Sequence, residues 1–305
     1  MSVVANITNI SRCSLHDGPG LRTVVYFKGC PMHCMWCHNP ETISAKKEIM
    51  FRPEKCICCG KCLEVCPDSY RIKDGKIDFQ RGNCKGCGKC AEECPSTAIS
   101  IAGNTMTVDE TFTEIAKDAS YFSESGGGVT FSGGECLMQA EFTAILAQKC
   151  KEANINTAIE SAFFVPYANV EKVLPFIDFV FADLKLPDDE MHQVYTGVSN
   201  KLIIENIRKA SQTHKHITIR IPLIPGVNDS EDAMSAFARI INTFGSGVVG
   251  VELLKYNYMA ISKYRLVGKQ YTNFGDASQP DVYVETLCRT LKENLSREIN
   301  VFFVK

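Results

Sequence analysis

Residues 56–94 constrain this chain most, because they carry one cysteine spacing twice. CICCGKCLEVCP reads Cys56-x2-Cys59-x2-Cys62-x3-Cys66 followed by Pro67. CKGCGKCAEECP repeats it as Cys84-x2-Cys87-x2-Cys90-x3-Cys94 followed by Pro95. Sixteen cysteines stand in 305 residues, and nine of them fall in this block. Residues 1–10 lack the basic start and continuous apolar core of a secretory signal. A cytoplasmic, reducing setting is therefore expected, where clustered thiols are metal ligands or catalytic groups rather than disulfides. A pair of zinc sites is the plainer alternative. The complete repetition, with each copy closing on Cys-Pro, weighs against it.

The two copies resemble a bacterial ferredoxin that holds two [4Fe–4S] clusters. In that pattern the first three thiols of a copy bind one cluster and the fourth crosses to the other. The resemblance assigns Cys56, Cys59, Cys62 and Cys94 to one cluster, and Cys84, Cys87, Cys90 and Cys66 to the second. Gly60, Gly86 and Gly88 suit the tight loops that such a site needs. Cys58 is surplus. Residues 50–102 carry nine Lys and Arg against seven Asp and Glu. That near balance is unlike the acidic surface of a free carrier, so a fixed internal relay is expected.

A third group differs. GCPMHCMWCHNP, residues 29–40, places Cys30, Cys34 and Cys37 on one loop with no fourth thiol beside them. A structural zinc site closes its tetrahedron with four ligands. Three thiolates on a four-iron cluster leave one iron open to a substrate. For Cys13, Cys136, Cys150 and Cys288 the expectation is small, buried, apolar packing.

Outside residues 50–102 the chain alternates strand and helix patterns. Short apolar, β-branched or aromatic runs begin at Leu21, Gly127, Ile155, Asp178, His216 and Gly247, and a last one, INVFFV, lies near the end. Helices are expected over 107–122, 138–154, 166–174, 201–213, 229–244 and about 280–295, the first starting at Thr107 or Asp109. Repeated βα units imply a parallel sheet. Six main units imply a partial (β/α)6 TIM-like barrel, residues 1–49 and 103–305, interrupted by an α+β ferredoxin-like insert, residues 50–102. The carboxyl ends of barrel strands carry the chemistry. Here those ends hold the three-cysteine loop, SGGE, Glu160 and Ser161, Asp183 and Lys185, Arg220, and Asn257. The net charge of −2 gives no reason to expect nucleic acid,. No apolar run reaches the roughly 18 residues of a membrane span.

Cys30-x3-Cys34-x2-Cys37 resembles the signature of radical S-adenosylmethionine enzymes. HDGPGLRT (16–23), GCPMHCMWCHNPE (29–41), SGGGVTFSGGE (125–135), DLK (183–185) and YTGVSN (195–200) look more narrowly like activating enzymes of glycyl radical enzymes, in the long form with an inserted two-cluster domain. The resemblance implies three [4Fe–4S] clusters, S-adenosylmethionine, and an oxidoreductase working anaerobically. An electron from a low-potential donor such as flavodoxin or ferredoxin reaches the Cys30/Cys34/Cys37 cluster through the insert. S-adenosylmethionine is cleaved to methionine and a 5′-deoxyadenosyl radical, which takes hydrogen from a glycine of the partner enzyme. Gly133, Gly134 and Glu135 are implied at the methionine moiety, with Glu135 accepting from its ammonium. Asp183, Leu184 and Lys185 fall to the ribose and charged groups, and Trp36 and His38 to the adenine side. Arg220 is equally an ion pair between strands. Glu160 and Ser161 replace the Asp-Thr pair beside which the short activase holds a monovalent cation. Asn257 replaces a histidine of the family. Asp17 is implied at the incoming glycine loop, with a solvated turn as the plainer alternative. Two other readings stand beside this one. One is a radical enzyme acting on another peptide or a small molecule, the other a non-catalytic electron carrier.

Overall fold

Strands that are apolar on both faces have no side to offer water, which favours a parallel sheet covered by helices. The computed structural model describes residues 3–304. Its strands are β1 (Val4–Ser14), β2 (Arg22–Phe27), β3 (Glu48–Phe51), β4 (Tyr70–Lys73), β5 (Lys76–Phe79), β6 (Ile99–Ala102), β7 (Asn104–Thr107), β8 (Gly128–Gly133), β9 (Asn156–Ser161), β10 (Phe179–Asp183), β11 (Ile217–Pro222), β12 (Val248–Leu254) and β13 (Asn300–Phe303). Nine form one sheet in the order β13-β12-β11-β10-β9-β8-β2-β1-β7. Every neighbouring pair from β2 to β13 is parallel. β1 runs antiparallel to both β2 and β7. This is the partial barrel that the alternating pattern implies, widened by β1 and β7 on one side. β1 is a strand the sequence pattern did not announce, since VANITNISRCS has few consecutive apolar residues.

The helices bury one stripe each. In Glu231–Ile241 the buried residues Met234, Phe237, Ala238 and Ile241 recur at helical spacing,. Ser230 Oγ caps this helix, accepting from the Ala233 amide at 3.2 Å,. The helix expected over 107–122 is two helices, Val108–Ala116 and Ala119–Ser125. The start is Thr107 rather than Asp109. Thr107 and Glu110 exchange side-chain and backbone hydrogen bonds in a capping box,. The break falls at buried Asp118, whose carboxylate accepts from Arg12 and Thr23 and so ties this turn to β1 and β2.

Within the insert, β3 pairs with β6 and β4 with β5, both antiparallel. A small separate core gathers Ile49, Phe51, Tyr70, Ile77 and Ile99 around the side chains of Cys62 and Cys90. Gly60 and Gly88, with φ of 80° and 88°, turn the chain into the short helices Lys61–Val65 and Lys89–Glu92,. Among the cysteines expected to be buried, Cys136 and Cys150 are and Cys288 is half-buried. Cys13 is exposed, because β1 loses its register with β2 between Ser11 and Ser14. Among the described residues, no helix is long and apolar enough to cross a membrane.

Candidate active site

The three-cysteine loop leaves β2 and is held from three sides. The Gly29 and Cys30 amides donate to Thr42 and Ile43 carbonyls at 2.7 and 2.9 Å. The Glu135 amide donates back to the Gly29 carbonyl at 2.8 Å. From across the sheet, the last carbonyls of helix Asp189–Thr196 accept from the loop: His33 N to Thr196 O at 2.8 Å and Met35 N to Tyr195 O at 3.0 Å. A helix end leaves such carbonyls unpartnered, so they are free to bind the loop. That gives YTGVSN a physical role. Gly133 and Gly134 are needed at the crossing. A Cβ on either would come within 2.3 Å of the backbone at Phe27 or Gly29.

The three thiols open into a cavity of about 260 Å³ whose walls include Gly133, Gly134, Glu160, Ser161, Asp183, Lys185 and Arg220. Trp36 and His38 line the same space. Trp36 packs near Tyr195 and Phe274, with ring centroids 6.1 and 6.0 Å away. The polar wall is a product of sheet register. Asp183 pairs with Arg220, and Arg220 with Glu252, on adjacent strands. Arg220 Nε donates to Glu252 at 2.7 Å, its Nη1 meets Glu160, and its guanidinium lies 3.9 Å from the Phe181 ring centroid. Asp183 and Lys185 pair with each other at 2.6 Å.

Burial sets the electrostatics. It pushes the Cys30, Cys34 and Cys37 thiols above their ordinary pKa, with Glu135 and the other two thiols adding to the effect at Cys30. Burial also raises Glu160, against the pull of Arg220. For Lys185 burial acts downward, but Asp183 and the nearby thiols outweigh it and hold the ammonium charged. Burial, then Lys263, lowers His38, which favours the neutral ring. Among the described residues, no three His, Cys, Asp or Glu side chains converge as a single metal ion requires. The thiols ring a volume instead. A polynuclear iron–sulfur group fits this donor set, because buried thiolates need bound positive charge to stay ionised.

Four expected site residues, Leu184, Glu135, Asn257 and Asp17, do not themselves line that cavity. Leu184 lies in the apolar core with no exposure, since neighbours along a strand face opposite ways,. Its amide serves the sheet, donating to the Arg220 carbonyl. Glu135 is buried and does not line the cavity. Its carboxylate accepts from Ser161 Oγ at 2.8 Å, the Ala162 amide at 3.0 Å and the Leu137 amide at 3.1 Å. It therefore joins the end of β8 to β9, close enough to act on the Cys30 thiol. Burial raises its pKa to about 7, with those three donors opposing the rise. Asn257 caps the turn Tyr258–Ala260 by accepting from Met259 N, and its side chain hydrogen-bonds His38 of the cavity wall from outside it. Asp17 lies on the β1–β2 loop, outside that wall but close enough for its charge to raise Glu160, with its carboxylate taken by Ser14 and its carbonyl by Thr130 Oγ1 at 2.7 Å.

The insert sorts its thiols into two sets. Cys66, Cys84, Cys87 and Cys90 line one cavity of about 330 Å³, and Cys56, Cys59, Cys62 and Cys94 line another. In each, the fourth thiol comes from the other sequence copy. Cys58 is exposed, with a φ of 54°.

Three family models match this chain. The Radical SAM superfamily matches residues 79–238, a 4Fe-4S dicluster domain matches residues 48–95, and a 4Fe-4S single cluster domain matches residues 16–64. The chain is 41% identical over 272 residues to the (2S)-3-sulfopropanediol dehydratase activating enzyme of Klebsiella oxytoca, covering 87% of this chain and 86% of that one. It is 37% identical over 287 residues to the choline trimethylamine-lyase activating enzyme of Oleidesulfovibrio alaskensis, covering 92% and 93%. A radical SAM methyltransferase from Sphaerobacter thermophilus has a similar fold, with a TM-score of 0.51 and 18% identity, over 66% of this chain and 58% of that chain.

Proposed function

The chain belongs to the activating enzymes of glycyl radical enzymes, within the radical S-adenosylmethionine superfamily, and on that premise we propose how its residues divide the work. Its cofactors are iron–sulfur clusters and S-adenosylmethionine, and its protein substrate is a glycyl radical enzyme. We assign three [4Fe–4S] clusters, one on Cys30, Cys34 and Cys37 and two in the insert at residues 50–102, the barrel being residues 1–49 and 103–305. The observation that carries this reading is the single cavity into which three thiols, two backbone-crossing glycines and the Asp183–Lys185 pair open together.

When bound, the open iron and S-adenosylmethionine together supply reductive C–S cleavage and a 5′-deoxyadenosyl radical that takes hydrogen from the partner's glycine. The chain's residues orient and enclose that chemistry. Asp183 accepts from ribose hydroxyls, Lys185 balances carboxylate charge, and Trp36 with His38 flanks the base. Arg220 holds Glu160 and Glu252 in register and presents one charged face to the cavity. A monovalent cation beside Glu160 has less support, because Arg220 and Ser132 already engage that carboxylate. Asp17 and its loop lie on the far side of Arg220, whose Nη2 donates to the His16 carbonyl at 3.0 Å. A role there in seating the partner's glycine loop requires the Ser14–Asp17 contact to open. A low-potential flavodoxin or ferredoxin is the electron donor that the insert suits.

The test is anaerobic incubation of the reduced protein with S-adenosylmethionine and candidate glycyl radical enzymes. A glycyl radical signal on one partner, with one 5′-deoxyadenosine per radical, is expected. Cofactor cleavage that modifies a small molecule and never yields a protein radical would overturn the assignment.

A further inference from the structure

The two thiol sets of the insert are not equivalent, and the difference lies in side chains that bind no cluster themselves. Tyr70, on β4, donates its hydroxyl to Cys90 Sγ at 3.3 Å, and both residues are almost fully buried, at 2% and 3% exposure. Its ring stacks on Phe79, with centroids 4.7 Å apart and planes 17° apart. On Phe79 sits the Arg81 guanidinium, 4.8 Å from the ring centroid. Arg81 donates to the Ile49 carbonyl at 2.7 Å and to the Leu266 carbonyl. A Cβ at Gly268 would lie 2.2 Å from its Nε, so this glycine leaves the guanidinium its place. The cation is thus fixed within electrostatic reach of Cys84, with carbonyls as its hydrogen-bond partners and Glu48 acting on it only through space. On the other set, Ser96 Oγ lies 3.7 Å from the half-buried Cys94 Sγ, and Cys56 hydrogen-bonds the exposed Cys58.

This same set faces the barrel. Leu266 and Gly268 belong to the end of helix Ile261–Val267. A Cβ on Gly86, between Cys84 and Cys87, would lie 2.5 Å from the Lys47 carbonyl. Lys47 is four residues beyond Ile43, whose carbonyl accepts from the Cys30 amide. Four residues span at most about 14 Å. The Cys56 loop, by contrast, turns Ile57 outward at 65% exposure.

Building on the cluster assignment above, we infer that Tyr70 and Arg81 are positioning residues for the redox group held by Cys66, Cys84, Cys87 and Cys90, and that they raise its reduction potential. A reduced cluster carries one more negative charge than an oxidised one. A buried O–H donor to a coordinating sulfur and a fixed neighbouring cation both stabilise the reduced form. The group nearest the barrel is therefore the one tuned to hold the electron before it passes to the Cys30 site.

The experiment is an anaerobic redox titration of the fully loaded protein followed by electron paramagnetic resonance, with iron content measured on every sample. Cys87→Ser identifies the signal of the barrel-side set. Tyr70→Phe keeps the stacked ring and removes only the donor. Its expected effect is a downward shift of that one midpoint, a tenfold change in equilibrium constant being 59 mV for one electron. Arg81→Met should move the same midpoint in the same direction, and Arg81→Lys should restore part of it. Unchanged midpoints in Tyr70→Phe and Arg81→Met at full iron content overturn the inference while leaving the clusters assigned. A shift confined to the other set also overturns it. If Tyr70→Phe loads poorly, the Arg81 pair decides. Iron near four per wild-type chain would remove the cluster assignment and this inference together.

Discussion

The barrel and the insert both gather cysteines, but they hold them by different means. Around Cys30, Cys34 and Cys37 the protein supplies its own scaffold. Helix-end carbonyls and the Gly133–Gly134 crossing position the loop against a continuous apolar core, and the Arg220–Glu160 pair lines the same cavity. In the insert the apolar core is small and includes two of the thiols themselves. Apolar burial on that scale does not offset the entropy of ordering the chain. The contrast predicts that the barrel positions a cofactor, whereas the insert depends on its clusters to hold its fold.

The largest expected effect follows from that contrast. Stripping iron with an anaerobic chelator should unfold residues 50–102 while leaving most of the barrel intact, because metal-binding energy is folding energy in such small modules. Hydrogen exchange read peptide by peptide checks it. Equal protection loss in both regions would erase the distinction.

The next effect belongs to the barrel alone. Arg220→Met leaves Glu160 and Glu252 buried without their cation, and breaking such a pair costs about 3–5 kcal/mol. Denaturant unfolding should show that loss, with iron in the insert unchanged. Asp118→Asn is expected to cost less, about 1.5–3 kcal/mol, by weakening charged hydrogen bonds to Arg12 and Thr23. Those partners hold the Asp118 pKa below 3.8. The contribution is therefore complete at neutral pH and is lost only as pH falls below 3.8 through the lowered value, so stability curves of wild type and Asp118→Asn should converge there. The smallest effect is in the insert. Cys58→Ser should leave iron content and activity unchanged, and a lost cluster would show that the register of the first copy uses Cys58.

Much of this contrast was legible in the sequence, for physical reasons. The sheet strands were legible because parallel strands are apolar runs, and the thiol sets because ligand spacing is local. Thr107 and Glu110 sit three apart, as a capping box requires. What escaped depends on the third dimension. Leu184 shares a motif with Asp183 and Lys185, yet strand alternation turns it into the core. Glu135 looks like a free carboxylate until β9 brings Ser161 and Ala162 to it. Helix Asp189–Thr196 is polar enough to pass for a loop. Its signal was the Asp188 cap and the following Gly197, which has a φ of 82°,. The Tyr70–Phe79–Arg81 stack crosses a hairpin and the edge of the barrel, and no local spacing encodes that.

The division of labour is the central claim, and one paired measurement tests it most directly. Cys34→Ala and the double variant Cys59→Ala/Cys87→Ala are each mixed anaerobically with S-adenosylmethionine and a partner labelled with α-deuterated glycine, using either a protein donor or a strong chemical reductant. Deuterium in 5′-deoxyadenosine is the readout. The account predicts none from Cys34→Ala with either reductant. From the double variant it predicts deuterium with the chemical reductant and much slower transfer with the protein donor. Normal transfer by the double variant from the protein donor, or deuterium appearing with Cys34→Ala, would contradict it.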